Sequence, residues 1–334
     1  MHQSRRQFLK ATAAAGALAN IPWTTTALAD KPVRADDIIM PFQSLPGDKA
    51  IKVVATGKNG KPVFSAELNS DKQLFVASAI KTFALCEALR QADSPDIDDE
   101  LEHKELTLDA SVWSLGSLTF NPPDLTGLVS ERTTLEAMVT RSDNTATDMI
   151  FKLVGAENIR RFLAEAGLTQ TLVPDSTRVF TGYVFGADNY KTITWKQLLQ
   201  VVRGPLVHPF LNDVQTLASS ADDLVSYYSR ALQGNFFQHR ETLNEFRRIL
   251  TLCDFIYLIP LPLGVSAYAK SGNADFPGFH ARSIAGAIFF SGHWVYFAFI
   301  VNWDAAELND EETVRQFFAA IQHALVRIRN SLSK

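Results

Sequence analysis

The chain has 334 residues, of which 46% are hydrophobic, 20% charged and 10% aromatic. This is ordinary globular composition and excludes a disordered or fibrous protein. Thirty-two Lys and Arg against 36 Asp and Glu give a net charge of −4, so there is no basic excess for a nucleic-acid footprint. The seven His and two Cys are scattered singly. They lack the paired spacing of a zinc module, and neither a metal nor another cofactor is expected.

The first thirty residues read as an address. Ser4-Arg5-Arg6-Gln7-Phe8-Leu9-Lys10 is a twin-arginine motif, an apolar stretch follows from Ala11 to Ile21, and Ala27-Leu28-Ala29 places small residues before Asp30. That is the order of an export signal. Residues 1–29 are therefore set aside from the fold, and the twin-arginine export machinery is an expected partner. The mature chain keeps 29 bases and 36 acids, a charge of −7. No Cys follows the apolar stretch to take a lipid, so a periplasmic or otherwise exported soluble monomer is expected. Export by this route implies folding before crossing, so Cys86 and Cys253 are read as thiols, with a later pairing left open. Cys86 sits in an apolar helical pattern and reads as core.

In chain order, residues 50–56 and 62–68 run apolar or alternate around Gly57-Lys58-Asn59-Gly60, which predicts a hairpin. From 78 to 90, Ile80, Phe83, Ala84, Cys86 and Leu89 recur at helical spacing. The spacing predicts further helices over 133–139, 144–153, 157–166, 195–202, 221–232 and 240–249. Residues 255–265 are apolar but broken by Pro260 and Pro262. Strands are expected over 266–270, 284–290 and 294–302. The last two lie in an apolar run long enough to cross a membrane. Ser291-Gly292-His293 interrupts that run, and Val, Phe, Tyr and Ile dominate both halves, so two strands and a turn are expected rather than a span. Residues 311–332 close the chain as an amphipathic helix with Val314, Phe317, Phe318, Ile321, Leu325 and Ile328 on one side.

Strands at both ends must share one sheet, because neither end has enough of its own. The expected fold class is α+β: an antiparallel sheet flanked by N- and C-terminal helices, plus an all-helical lobe. The α/β part covers about 30–70 and 255–334, and the lobe about 71–254. Pro122-Pro123 and the stretch from Pro205 to Pro209 mark loops inside the lobe. Trp113, Trp195, Trp294 and Trp303 read as packing residues.

Three short motifs carry chemistry. Ser78-Ala79-Ile80-Lys81 starts a helix, where positions three apart share a face. Lys81 would then point its amine at the Ser78 hydroxyl. A serine needs a neighbouring base to attack at neutral pH, and a buried lysine beside another cation can be that base. Ser142-Asp143-Asn144 suits a helix N-cap. It also offers Ser142 to relay a proton and Asn144 to hold the lysine or a substrate amide. Lys270-Ser271-Gly272 ends a strand. Lys270 brings positive charge, Gly272 permits close backbone approach, and the Asn273 N–H with that of Ser78 would make an oxyanion hole.

The three motifs in this order, within Phe75-Val76-Ala77-Ser78-Ala79-Ile80-Lys81-Thr82-Phe83, Ser142-Asp143-Asn144-Thr145-Ala146 and Lys270-Ser271-Gly272, resemble the class A β-lactamase family and its penicillin-binding relatives. The resemblance covers roughly 40 to 332, including the hairpin before Ser78, the strand pair after Lys270 and the final helix. It implies a β-lactamase/DD-peptidase-like fold with Ser78 as nucleophile, Lys81 as its activator, Ser142 and Asn144 shuttling protons and positioning substrate, and Lys270 on the carboxylate side. Ser271, Gly272, Asn273 and Arg282 are the implied substrate-binding residues, with Ser271 where the family often has Thr and Arg282 resembling its carboxylate-binding arginine. The implied substrate is a small β-lactam or a peptidoglycan-like molecule.

The family's loop glutamate, with an asparagine four residues on, activates the deacylating water. No Glu-x-x-x-Asn occurs between Ser142 and Lys270, and the 128-residue interval holds an apparent insertion around 187–216. Asp175, in Val173-Pro174-Asp175-Ser176-Thr177-Arg178, is the carboxylate nearest the expected place. A loop-turn role is its simpler reading, with a water-activating one as the alternative. His280 reads as a surface-loop residue or as part of the cleft lining. Three functions are therefore carried forward: a β-lactam hydrolase, a DD-peptidase- or esterase-like hydrolase, and a slow-turnover binder of β-lactams or wall peptides.

Overall fold

The computed structural model describes residues 33–253, 261 and 264–333. The segment read as an export signal and the proline break at 260 and 262 lie outside them. Helix α1 (Ala35–Gln43) leads into strands β1 (Asp48–Thr56) and β2 (Pro62–Leu68). A two-residue strand β3 (Leu74–Phe75), a 3-10 turn (Ala77–Ile80) and helix α2 (Lys81–Gln91) carry the chain into a helical layer. That layer comprises α3 (Ile97–His103), the hairpin β4 (Glu105–Leu108) and β5 (Gly127–Ser130), α4 (Glu131–Thr140), α5 (Asn144–Val154), α6 (Ala156–Glu165), α7 (Thr177–Val184), α8 (Trp195–Val201), β6 (Ala218–Ser219), α9 (Ala221–Ala231) and α10 (Arg240–Thr251). Strands β7 (Ser266–Phe276), β8 (Phe279–Phe290) and β9 (His293–Trp303) return to the sheet, and α11 (Glu311–Leu332) follows.

The main sheet is antiparallel in the order β2-β1-β9-β8-β7. Strands from both ends of the chain do share it, with β9 between β1 and β8. Both faces are covered. On one, Phe42 of α1 stacks on Phe299 at 5.1 Å and meets Phe317 of α11 edge-on. On the other, α9 packs across β1, β8 and β9, and Gln233 just beyond it donates to the Tyr296 hydroxyl at 2.8 Å. A strand buried on both faces needs apolar residues at every position rather than every second one. That accounts for the apolar stretches of β8 and β9 on either side of the Ser291-Gly292 turn. No helix among the described residues is long and apolar enough to cross a membrane.

Two expectations change. Strand β7 runs to Phe276 and β8 starts at Phe279, with Pro277-Gly278 as a two-residue turn and Gly278 at φ +86°. Lys270-Ser271-Gly272 therefore lies in the middle of a strand, not at its end. The polar residues between Lys270 and Asp275 hide the strand because Lys270 and Asp275 meet partners across space, Ser142 and Arg282. Also, α3 and α7 have no counterpart in the expected elements, whereas the expected N-terminal helix is α1. Helix α7 lies where a loop is expected, started by Ser176, whose hydroxyl accepts from the Val179 N–H. Cys86 and Cys253 are both buried free thiols, and burial pushes the Cys86 thiol well up.

Candidate active site

The 3-10 turn holds half-buried Ser78 at the head of α2, and Ala77 just before it sits at φ +47°. Left-handed backbone at a non-glycine residue costs about 1–3 kcal/mol and persists only where packing enforces it. The enforcement is visible here. The Phe75 N–H and C=O are both bonded to the Asn302 side chain at 2.9 Å, Val76 N–H donates to the Leu217 carbonyl, and the Ser283 hydroxyl donates to the Val76 carbonyl at 2.7 Å. In this first turn the Ser78 N–H has no acceptor within the helix.

Lys81 is fully buried, and its amine is bonded to the second motif. It donates to the Ser142 carbonyl, to the Ser142 hydroxyl at 3.2 Å and to the Asn144 Oδ1 at 2.7 Å. Three donors meet three acceptors. Among the described residues no hydrogen bond joins Lys81 to the Ser78 hydroxyl, which differs from the expected geometry. Ser142 at φ +55° bends the chain so that its carbonyl and its hydroxyl both reach the lysine. Asp143 is the N-cap of α5. Its Oδ1 accepts from Ala146 N–H at 2.8 Å, and its Oδ2 accepts from Thr119 and Phe120 N–H. Asn144 Nδ2 donates to the Leu115 carbonyl at 2.6 Å. One loop, 115–120, is thus pinned to the start of α5 at both ends.

Lys270, only 1% exposed, donates to the Ser142 hydroxyl at 3.2 Å and to the Ser271 carbonyl at 3.0 Å. The Ser142 oxygen therefore stands between two amines. Burial, and then the charge of Lys270, hold the Lys81 amine well below the ordinary lysine range, against Asp143 and Asp148. The three bonds suit the ammonium; losing one proton, which this lowering eases, would leave a lone pair able to accept another.

Gly272 supplies the third contact. A Cβ there would stand 2.1 Å from the Val76 oxygen, 2.7 Å from the Ser78 nitrogen and 2.9 Å from the Ala79 nitrogen. Only glycine lets β7 lie this close to the Ser78 turn. Pairing in an antiparallel ladder alternates between bonded and non-bonded pairs. Counting back from the Phe276↔Phe279 pair that closes the turn, Asn273↔Arg282 falls in the non-bonded class. The Asn273 N–H then points out from the edge of the sheet, beside the Ser78 turn.

Ser78, Lys81, Ser142, Asn144, Lys270 and Gly272 thus converge. Other expected residues stand apart. The Ser271 side chain alternates to the opposite face from Lys270, is 2% exposed, and its hydroxyl has no partner among the described residues. Arg282 also lies on that opposite face. It is 6% exposed and pairs with Asp275 at 2.8 Å. His280 is neither a surface-loop residue nor part of the cleft: it is fully buried in β8. Asp175 is held by Arg160 at 2.6 Å and by the Gln215 amide at 2.8 Å, a structural pairing that anchors the segment before α7.

One carboxyl group escaped the sequence reading. Asp148 follows Asn144 by one turn of α5, on the same face. Its Oδ1 accepts from the Thr177 N–H and hydroxyl, both at 2.7 Å, and its Oδ2 from the Arg178 N–H at 3.0 Å. Burial pushes this carboxyl up to about 6, against those hydrogen bonds. Its i+4 spacing from Asn144 was the available signal. A second unpredicted feature is an aromatic cluster that ties the 187–216 insertion to the sheet. Phe210 stacks on Phe279 at 4.7 Å and lies 4.9 Å from Phe276 and 5.3 Å from Phe75.

Residues 44–326 match the model of the β-lactamase enzyme family, and residues 2–22 match the twin-arginine translocation signal. No curated protein matches the chain. Among solved structures, a class A β-lactamase from Bacteroides cellulosilyticus is similar with a TM-score of 0.65 at 16% identity, over 90% of this chain and 97% of that one. A β-lactamase from Sphaerobacter thermophilus gives a TM-score of 0.64 at 16% identity, over 87% and 94% of the two chains. PBP-A in an acyl-enzyme complex with penicillin G gives 0.63 at 18% identity, over 89% and 99%.

Proposed function

Because this chain belongs to the β-lactamase enzyme family and carries a twin-arginine export signal, we propose that it is an exported serine hydrolase that opens β-lactam amides through an acyl-enzyme on Ser78. The observation that carries this reading is the Ser142 hydroxyl, 3.2 Å from the amines of both Lys81 and Lys270, beside the contact of Gly272 with the Ser78 turn. Lys81, once it has given up one of its three protons, takes the Ser78 proton as the oxygen attacks the carbonyl carbon. The oxyanion is met by the N–H groups of Ser78 and Asn273. As the carbon–nitrogen bond breaks, Ser142 passes a proton from the lysine pair to the leaving nitrogen, and Asn144 keeps Lys81 in place. Lys270 offers its charge to a substrate carboxylate, and Ser271, Gly272 and Asn273 form the strand along which the substrate lies.

Release of the acyl group needs an activated water. Asp175 is occupied by Arg160 and Gln215, and Asp148 by Thr177 and Arg178. Neither carboxylate is free to do it. This favours slow deacylation, as in a DD-peptidase-like enzyme or a long-lived β-lactam adduct. The mature protein is to be followed with a chromogenic cephalosporin, and with penicillin G by intact-mass spectrometry. A Ser78-dependent adduct is expected, outlasting the time needed to form it. Absence of any adduct, with Ser78→Ala indistinguishable from the unaltered chain, would remove the proposal.

A further inference from the structure

Behind the edge strand, on the face away from Lys270, lies a buried set of charges that the reaction scheme does not use. Asp275, 3% exposed, accepts from Arg282 Nη2 at 2.8 Å on Oδ2 and pairs with His280 Nδ1 at 3.0 Å on Oδ1. The other ring nitrogen of His280 faces the Glu307 carbonyl at 3.0 Å. Arg282 Nη1 donates to the carbonyls of Ala281 at 2.9 Å and Ala274 at 3.3 Å. Trp303 of β9 stacks on the His280 ring at 5.1 Å, lies under the Arg282 guanidinium and donates to Asp310 at 3.0 Å.

Two points of chemistry follow. First, a carboxylate and a carbonyl oxygen can only accept. Both His280 ring nitrogens face such acceptors, so the ring is fixed between Asp275 and the Glu307 carbonyl and backs the carboxylate that Arg282 meets. Second, Arg282 is the cross-strand partner of Asn273, and its guanidinium grips the carbonyl of the next residue, Ala274. Its charge is already matched by Asp275.

We infer that Arg282, held by Asp275 and backed by His280, is a positioning residue that clamps the Asn273 segment of β7 from behind, and does not bind the substrate carboxylate. This rests on the oxyanion role given to the Asn273 N–H above. Without the clamp, the edge strand keeps its register with β8 but loses the bonds that hold Ala274 and Asp275, the two residues after that N–H, and opens there more readily.

The test uses the mature protein with Arg282→Lys and Asp275→Asn, so that one variant remains if the other fails to fold. Each is assayed with a chromogenic cephalosporin, which bears a ring carboxylate, and with a neutral aryl ester lacking one. Amide hydrogen exchange along β7 is measured in parallel. Kinetically, kcat is expected to fall about tenfold or more on both substrates with KM within about twofold, since misplacing one oxyanion donor acts on the transition state. Exchange at Ala274, whose N–H lies in a bonded pair of the same alternation, should quicken about tenfold while β9 stays protected. A rise in KM confined to the carboxylate-bearing substrate, with kcat kept, would overturn the inference and make Arg282 a ligand for substrate. So would unchanged exchange. If the unaltered protein reacts with neither substrate, the proposed function falls, and exchange alone decides the clamp.

Discussion

Substituting Gly272 by Ala probes the contact between β7 and the Ser78 turn. The added methyl would begin 2.1 Å from the Val76 oxygen, where ordinary contact starts at 3.4 Å, and all three near atoms are backbone. No side chain can rotate away, so the strand or the Ser78 turn must retreat by about 1 Å, and a displacement of that size costs roughly a hundredfold in rate. This corresponds to about 2.7 kcal/mol of transition-state stabilisation. Overpacking of this kind also costs about 1–3 kcal/mol of stability, so the two effects must be separated. Acylation by penicillin G is therefore timed by intact mass at a temperature where circular dichroism shows the variant folded. The expected result is a folded protein that acylates about a hundred times more slowly than the unaltered chain. Acylation at the unaltered rate would refute the argument, because the Ser78 N–H and the edge strand would then not need their close approach.

Two further outcomes follow from features outside the reacting atoms. The Asp148 carboxyl is raised from 3.8 to about 6, so the folded state holds a proton that the unfolded chain has lost in that window. Stability therefore falls as pH rises from about 3.8 to about 6, by about 3 kcal/mol, and is flat above. Asp148→Asn removes this slope, and urea unfolding of both proteins at pH 4 and pH 7 should show their difference shifting by about 2 kcal/mol in favour of Asn; an unchanged difference would count against a buried protonated carboxyl. Phe210→Ala empties the centre of the aromatic cluster and should cost about 3–5 kcal/mol, read from the unfolding midpoint. A loss below about 1 kcal/mol would mean that the 187–216 insertion is not anchored through that ring.

Much of the architecture was legible because burial dictates periodicity. The final helix ends where its apolar stripe does, at Leu332, and the hairpin of β1 and β2 follows its Gly-Lys-Asn-Gly turn. Strand β7 was cut short because its second half carries polar residues whose partners lie across space: Asp275 with Arg282, Lys270 with Ser142. Alternation of the pleat then decides the site. Lys270 and Gly272 face the helical layer, whereas Ser271 and Arg282 face the terminal helices. A motif written on one line of sequence cannot display that division. The convergence of Ser78, Lys81, Ser142 and Asn144 was readable from motif order. The bonding of the Lys81 amine to Ser142 and Asn144, rather than to Ser78, depended on the left-handed backbone of Ser142, which no residue type announces.

The strand order has a consequence for how this protein is made. Ile51 finds its neighbour in Phe299, so the opening hairpin has no place to dock until nearly the whole polypeptide has left the ribosome. Ser78 and Lys81 emerge early, yet Asn302, which grips the backbone just ahead of them, and Lys270 arrive late. A chain stalled before β9 carries Ser78 but lacks the Asn302 grip on the backbone ahead of it. Closure of so long a loop is slow compared with local helix formation, and a secretion route that accepts only finished molecules suits a fold completed by its last strand.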